Sequence, residues 1–125
     1  MKKMILTITM LVFTVGANAA CDTKSLKGYY GFGFISSGVA SSCAVIGTIF
    51  FDGKGNQNAV FSQGCGGDSS FITNKGSYEI FSNCMGAADF ENGSSVYFVM
   101  DKALKSGSLT MSKDGNIALG SVFKQ

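Results

Sequence analysis

The chain contains no arginine, histidine, tryptophan or proline, and these absences exclude several classes of function. Without histidine, acyl transfer by a Ser–His pair is impossible, and without histidine or a CxxC pair a zinc site is not expected. A nucleic-acid-binding protein would carry a basic face with arginine forks for phosphate and guanine, whereas every basic residue here is lysine. We therefore expect no catalytic residues, no metal, no cofactor and no nucleic-acid partner.

The N-terminal residues have the three parts of a secretory signal peptide. Lys2 and Lys3 form a positive region, residues 4–15 form an apolar run, and Ala17-Asn18-Ala19 is a small-x-small cleavage site. The apolar run of about 12 residues is shorter than the roughly 20 that a membrane-spanning helix needs, so no transmembrane segment is expected. We predict a signal peptide at 1–19, a single all-β domain at 20–125, and a periplasmic or secreted protein.

Cys21 allows a second interpretation of this segment. It follows Ala19-Ala20, and a lipidated cysteine lies directly after small residues. Asn18 stands three positions before it, where a lipobox has leucine or a similar residue. A lipoprotein anchored through Cys21 is therefore the alternative to a freely exported domain.

All four cysteines lie beyond the predicted cleavage site, and an even number in a short exported chain is typical of disulfides rather than of metal ligands. A hairpin centred on the turn-forming residues 52–55 would bring Cys43 close to Cys65. Cys21 then pairs with Cys84 by elimination. We favour these two bridges over the other two connectivities, and in the chain-entropy model each stabilises the domain by roughly 3 to 4 kcal/mol.

Short apolar or alternating runs recur along the rest of the chain, separated by Gly, Ser, Asn and Asp. This pattern favours an antiparallel all-β domain, either a small barrel or a flattened sandwich of eight or nine strands. The 17 glycines are scattered where interior helices would suffer, so little helix is expected. Strands are predicted at 28–35, 44–51, 57–62, 71–74, 76–81, 87–90, 95–101, 106–112 and 116–124, with 71–81 counted as one strand or two.

The first predicted strand carries an aromatic stripe. Alternation puts Tyr30, Phe32 and Phe34 on one face, which we expect to point inward, and Tyr29 on the other. The second strand, 44–51, is apolar on both faces. A single barrel buries only one face of each strand, so the pattern predicts another layer, either a second sheet or a second subunit in a homo-oligomer.

Several segments resemble one group of proteins. They are similar to small exported bacterial proteins of unknown function with a lipocalin-like or allene-oxide-cyclase-like β-barrel, in the runs 26–32, 47–56, 76–80, 83–86 and 120–125. Gly28-x-Tyr30 is also similar to the Gly-x-Trp opening of lipocalins, although this chain has no arginine to pack over that ring. The resemblance implies a calycin-like fold and, by fold analogy alone, a cyclase-type isomerase.

These observations together predict an exported, non-enzymatic binding protein for a small apolar ligand. The candidate ligand-binding residues are those expected to line the interior: Tyr30, Phe32, Phe34, Tyr78, Ile80, Tyr97 and Val99. The alternative partner is a protein, bound by a secreted interaction factor or enzyme inhibitor through the loops 36–42 and 64–70. The run 73–76, Thr-Asn-Lys-Gly, is similar to the Thr-Lys-Gly signature of exported lysozyme inhibitors.

Overall fold

The protein is a closed barrel of eight antiparallel strands. The computed structural model describes residues 21–37, 43–65, 68–113 and 116–125, and these contain no helix. Each strand pairs with the next along the chain, and the last pairs with the first, which closes the sheet. The strands are β1 (Lys27–Ser37), β2 (Cys43–Asp52), β3 (Asn56–Cys65), β4 (Asp68–Ile80), β5 (Met85–Phe90), β6 (Ser95–Met100), β7 (Ser106–Lys113) and β8 (Asn116–Lys124).

The predicted all-β barrel is confirmed, and the flattened sandwich and the nine-strand count are wrong. Residues 71–81 form part of the single strand β4 because Gly76 continues the pairing with both neighbours, opposite Gln57 of β3 and Phe90 of β5. The sheet closes on itself because β1 pairs with β8 over residues 30–37. The predicted signal peptide, 1–19, and the domain boundary that follows it lie outside the described residues, so both stay predictions.

The turn between β2 and β3 follows from its sequence. Gly53 and Gly55 adopt positive φ angles of 78° and 98°, which residues with a side chain rarely adopt. The Asp52 carboxylate accepts hydrogen bonds from the Lys54 N–H at 2.7 Å, the Asn56 N–H at 3.0 Å and the Asn56 side-chain amide at 2.9 Å. Lys113 at the end of β7 pairs with Asn116 at the start of β8, and residues 114–115 between them lie outside the described part.

Alternation places the aromatic stripe of β1 as predicted. Tyr30 is fully buried, Phe32 and Phe34 pack against the interior core, and Tyr29 is largely exposed. Gly31 permits a close contact on the outer face, because a Cβ there would lie 2.6 Å from the ring of Phe123.

The predicted second layer is absent among the described residues. On β2, Val45, Ile49 and Phe51 are buried inside the barrel, while Ile46 is 68% exposed and Phe50 is half-exposed on the outside. The outer apolar face is therefore uncovered in a single chain, and the homo-oligomer stays a prediction.

One end of the barrel, which we call the lower end, is closed by residues 21–26. It contains the connections 53–55, 81–84 and 101–105 and the start of β1. Cys21 forms a disulfide with Cys84, with a Cα–Cα distance of 5.2 Å. Leu26 is fully buried at the start of β1. Because β5 and β1 lie on opposite sides of an eight-stranded ring, the segment between them crosses the lower opening.

At the other end, which we call the upper end, lie the connection 91–94 and the last described residues of β1, β3 and β7. Strands β5 and β6 are only six residues each, whereas β4 has 13. Strand β4 therefore continues upward past β5. Of the predicted interaction loops 36–42 and 64–70, residues 36–37, 64–65 and 68–70 lie at this end, and residues 38–42 and 66–67 lie outside the described part.

The predicted Cys21–Cys84 bridge is confirmed, and it also bears on lipidation. A sulfur atom held in a disulfide cannot also carry a thioether-linked lipid, so the bridge argues against the lipoprotein alternative. Among the side chains that the structure describes, one disulfide is seen, Cys21–Cys84, where two were predicted. Cys43 lies directly opposite Cys65 in the β2–β3 register, and the second bridge stays a prediction.

Candidate functional site

The interior of the barrel holds a cavity of about 320 Å³. Its walls come from all eight strands and from the β5–β6 connection. They are mostly apolar, and the aromatic members are Phe32, Phe34, Phe51, Phe61, Phe90 and Phe98. Aliphatic and thioether side chains complete the apolar part: Val45, Ile49, Ala88, Val96, Met100, Leu109, Met111, Ala118 and Val122.

Two buried tyrosines, Tyr30 and Tyr78, lie beneath the cavity and contact Phe51 of its lining; we call this layer the floor. The Tyr30 hydroxyl donates to the Leu104 carbonyl in the β6–β7 connection. The Tyr78 hydroxyl lies 2.6 Å from the Leu26 carbonyl and 3.1 Å from the Thr23 carbonyl, and it accepts from the Gly53 N–H at 2.8 Å. These bonds tie the strands to three different lower-end segments, so the phenols close the cavity from below.

Both phenols are held in the neutral form. Burial raises the pKa of Tyr30, and the charge of Asp101 and the proximity of Tyr78 raise it further. Burial also raises the pKa of Tyr78, although the N–H of Gly53 partly opposes this by favouring the phenolate. Lys124 Nζ lies 5.8 Å from the ring centroid of Tyr30 and so provides a cation over that ring in a chain without arginine.

The polar part of the cavity lies towards the upper end. Asn92 and Ser94 lie in the β5–β6 connection, where the Ser94 N–H and hydroxyl donate to Asn92 Oδ1 at 2.9 and 2.6 Å. Asn74 of β4 lies close to this connection, because the Glu91 N–H donates at 2.9 Å to the carbonyl of Lys75, the residue that follows Asn74. Gln63 adds a further amide from β3. The four side chains are neutral.

The aromatic walls present both ring faces and ring edges. Phe32 and Phe34 are stacked at 16° with centroids 6.1 Å apart, and Phe61 meets Phe32 edge-on at 62° and 6.2 Å. Deeper in the barrel, Phe51 meets Tyr78 edge-on with centroids 4.6 Å apart. Such walls suit a flat apolar or aromatic body.

The structure brings together some of the predicted ligand-binding residues and separates others. Phe32 and Phe34 line the cavity. Tyr30, Tyr78 and Ile80 are buried in the core but lie below the cavity rather than in its lining.

Tyr97 and Val99 were predicted to lie in the interior, and this prediction is wrong. They are 59% and 46% exposed on the outer face, whereas Val96, Phe98 and Met100 point inward. Both faces of β6 are apolar, so the alternation of the sequence does not show which face is inside.

Most of the lining was missed by sequence reasoning. The inward face of β2, with Val45, Ile49 and Phe51, is visible in the sequence as an alternating run and could have been proposed as lining. Asn92 and Ser94 give no such signal, because Asn and Ser are common in turns for conformational reasons. Their position in the cavity follows only from the shortness of β5 and β6.

The lining contains no side chain that is charged at neutral pH among its described residues. Nor do the described residues contain a group of three or more Cys, Asp or Glu placed to hold a metal ion. Cys43 lies in the lining, and none of the described cysteines is a free thiol. The chemistry that this arrangement offers is apolar contact together with neutral hydrogen bonding.

Gln57 is the one buried polar side chain with an unsatisfied atom in the described structure. It is 3% exposed, and its amide donates to the Asp89 carbonyl at 3.3 Å, while its Oε1 accepts no hydrogen bond. It lies outside the lining of the cavity. In the described ranges, no helix has the length and hydropathy to cross a membrane.

Comparison with known proteins shows a likeness in fold. No protein-family model and no curated protein matches the chain. A solved structure of a de novo designed fluorescence-activating β-barrel is similar, with a TM-score of 0.59 and 18% sequence identity over 84% of this chain and 99% of the designed chain. At this identity the likeness shows the architecture alone: a small closed antiparallel barrel.

Proposed function

We propose that this protein is an exported binding protein that holds a small apolar ligand inside its barrel and catalyses no reaction. The cavity of about 320 Å³ carries the proposal, because it combines apolar walls with a few polar groups at one end. Ligand pockets in proteins have this composition and begin at roughly 300 Å³. The similar designed barrel is described as fluorescence-activating, which is compatible with a small molecule held in such an interior.

Export is proposed from the predicted signal peptide and is supported by the Cys21–Cys84 disulfide, since disulfides persist in oxidising compartments. The second bridge, Cys43 to Cys65, is supported by the direct opposition of these residues in the β2–β3 register. The non-reducing intact mass of protein from its native periplasm or medium tests both. We expect cleavage after Ala19 and the loss of four hydrogens, two for each bridge.

The binding proposal is tested with N-phenylnaphthylamine, a neutral fluorophore that brightens in apolar surroundings. We expect saturable, one-to-one binding to the folded protein. Ala88 lines the cavity and its neighbour Ala87 faces outward on the same strand. Ala88→Leu should therefore weaken binding by reducing the cavity, whereas the matched control Ala87→Leu should leave it unchanged.

The two variants separate the interior from the surface as the place of binding. Equal loss in both variants, or equal retention in both, would locate the fluorophore outside the barrel and refute the proposal. Thermal melting of each variant checks that both are folded before binding is compared.

A second candidate function is protein interaction, and the outer face supplies an observation in its favour. Phe71 is 85% exposed next to the predicted loop 64–70, and Ile35 is 69% exposed and pairs with the equally exposed Leu119. Exposed apolar side chains on adjacent strands are typical of interaction surfaces. We propose a second copy of this chain as the occupant, because a two-fold contact between identical uncharged surfaces needs no complementary charges.

Light scattering after size exclusion tests this candidate over a range of concentrations. Ile35 on β1 belongs to the proposed contact, whereas Tyr97, which is also exposed, lies on β6, away from it. A dimer that is lost in Ile35→Lys but kept in Tyr97→Lys would therefore support self-association through this face. A monomer at every concentration would exclude self-association through this face. The cyclase-type isomerase has no supporting residue and is not proposed.

A further inference from the structure

The distribution of charge in the barrel indicates what kind of ligand it takes. Every described lysine, aspartate and glutamate lies outside the lining of the cavity. A charged group buried there would lose its hydration without gaining an ion pair, which costs several kcal/mol. The interior therefore disfavours a carboxylate or an ammonium group on the ligand.

The polar groups are grouped at one place rather than spread over the walls. Asn74, Asn92 and Ser94 come together where β4 continues past the β5–β6 connection. The side-chain oxygen of Asn92, Oδ1, accepts two hydrogen bonds from Ser94, and these bonds fix the orientation of the Asn92 side-chain amide. An amide side chain such as that of Asn74 has two donor hydrogens and an acceptor oxygen, so it can pair with a neutral amide, hydroxyl or carbonyl.

We propose that the cavity selects uncharged ligands with a flat apolar body and one neutral hydrogen-bonding group, and that this group is directed at Asn74, Asn92 and Ser94. The body lies against the rings of Phe32, Phe34 and Phe61, which line the cavity and offer both ring faces and a ring edge. The inference rests on the proposed function, because it names the class of ligand for the same cavity. It differs in predicting discrimination between molecules of nearly identical shape.

Three probes with one common ring system test the discrimination: naphthalene, β-naphthamide and β-naphthoate. We expect the neutral amide to bind most tightly, naphthalene more weakly, and the anionic naphthoate at least about tenfold more weakly than the amide. Tenfold corresponds to about 1.4 kcal/mol, which is less than the cost of burying an unpaired carboxylate. Titration calorimetry at neutral pH gives the three dissociation constants.

Asn74→Leu tests the direction of the hydrogen-bonding group. It should reduce the preference for the amide over naphthalene and leave naphthalene binding intact. Thr73→Leu is the matched control, because Thr73 is exposed on the outer face of the same strand. If Asn74→Leu does not fold, Asn74→Ala removes the same amide with less added volume.

The outcomes distinguish the ligand class from the proposed function. Naphthoate binding as tightly as the amide would overturn the charge selection while leaving a ligand-binding barrel. An amide preference that survives in Asn74→Leu would overturn the assigned orientation. Failure of all three probes, naphthalene included, would refute the binding function itself.

Discussion

The lower and upper ends of the barrel differ in how their polar groups are used. At the lower end, the Tyr30 and Tyr78 hydroxyls bond to the backbone, and the disulfide holds residues 21–26 across the opening. At the upper end, the neutral side chains of Asn74 and Asn92 line the cavity instead. The buried hydroxyls of the lower end thus bond within the protein, whereas the amides of the upper end face the interior that we propose as the binding site.

Three aspartates add local hydrogen bonds to the lower end. Hydrogen bonds lower the pKa of three carboxyls in lower-end segments: the Ser25 side chain and N–H act on Asp22, the Asn56 side chain and N–H act on Asp52, and the Lys105 N–H acts on Asp101. The connections at that end are therefore held by local hydrogen bonds as well as by the bridge. Changes at the lower end should affect unfolding, and changes at the upper end should affect the ligand.

The largest effect is expected from the lower-end disulfide. Replacing Cys21 and Cys84 together by alanine should lower the free energy of unfolding by about 4 kcal/mol, because the bridge joins residues separated by 63 positions. Urea unfolding followed by circular dichroism measures the loss. Replacing Cys43 and Cys65 together removes the predicted bridge of a shorter loop and should cost about 3 kcal/mol. A larger cost for the second pair would reverse the comparison of the two ends.

The next largest effect is expected from the floor tyrosines. Tyr78→Phe should cost about 2 kcal/mol, because the Leu26 carbonyl and the Gly53 N–H lose their hydroxyl partner. Tyr30→Phe should cost about 1 kcal/mol through the Leu104 carbonyl. The exposed Tyr97 is the control, and Tyr97→Phe should change stability by less than about 0.5 kcal/mol. Equal costs in all three variants would show that the buried hydroxyls have no special role.

Alkaline pH should weaken the lower end through the same phenols. Burial raises the pKa of Tyr30 and of Tyr78 above the ordinary value of 10.0. The neutral phenols therefore stabilise the fold at every pH below about 10, and this contribution is lost as pH rises through the raised values. Urea unfolding at increasing pH should show the fall, and the Tyr30→Phe, Tyr78→Phe double variant should show a smaller one. If the free energy of unfolding falls just as steeply with pH in that variant, groups other than these two phenols cause the fall.

Acid should have the smallest effect. The pKa of each lower-end aspartate lies below its ordinary value of 3.8, first because of the bonds to Ser25 for Asp22, to Asn56 for Asp52 and to Lys105 for Asp101. Their contribution is present above that value and is lost as pH falls through the lowered pKa values. Because these carboxyls are exposed, solvent weakens the effect. Asp52→Asn should flatten the acid limb of the stability curve, and a curve identical to that of the unchanged protein would contradict this role of Asp52.

Most of the fold was predictable because local patterns agree with it. The predicted strands overlap every strand of the barrel, and the turn at 52–56 has the glycine and aspartate chemistry that its backbone needs. The Cys21–Cys84 bridge was reached by elimination from the hairpin around that turn. The inward face of a strand was also predicted wherever its two faces differ in composition. On β1, for example, large aromatic residues alternate with small ones.

The site was less predictable, and β6 shows why. Tyr97 and Val99 alternate with Val96, Phe98 and Met100, so either face could have been the interior one. Tyr30 and Tyr78 were assigned to the correct face, but their height in the barrel decides that they form the floor instead of the lining. Asn74 carried no signal in the sequence, because its role depends on how far β4 extends past β5.

The strands, the turns and the approximate partners of the cysteines could be inferred from the sequence, because these features depend on residues close along the chain or on a single hairpin. Only the tertiary structure decided which face of β6 is interior, how high each side chain lies, and that the centre holds a neutral cavity. The physical reason is that closure of eight strands sets the direction and height of every side chain at once. The space left between them depends on residues from nearly the whole ring and not on any one segment.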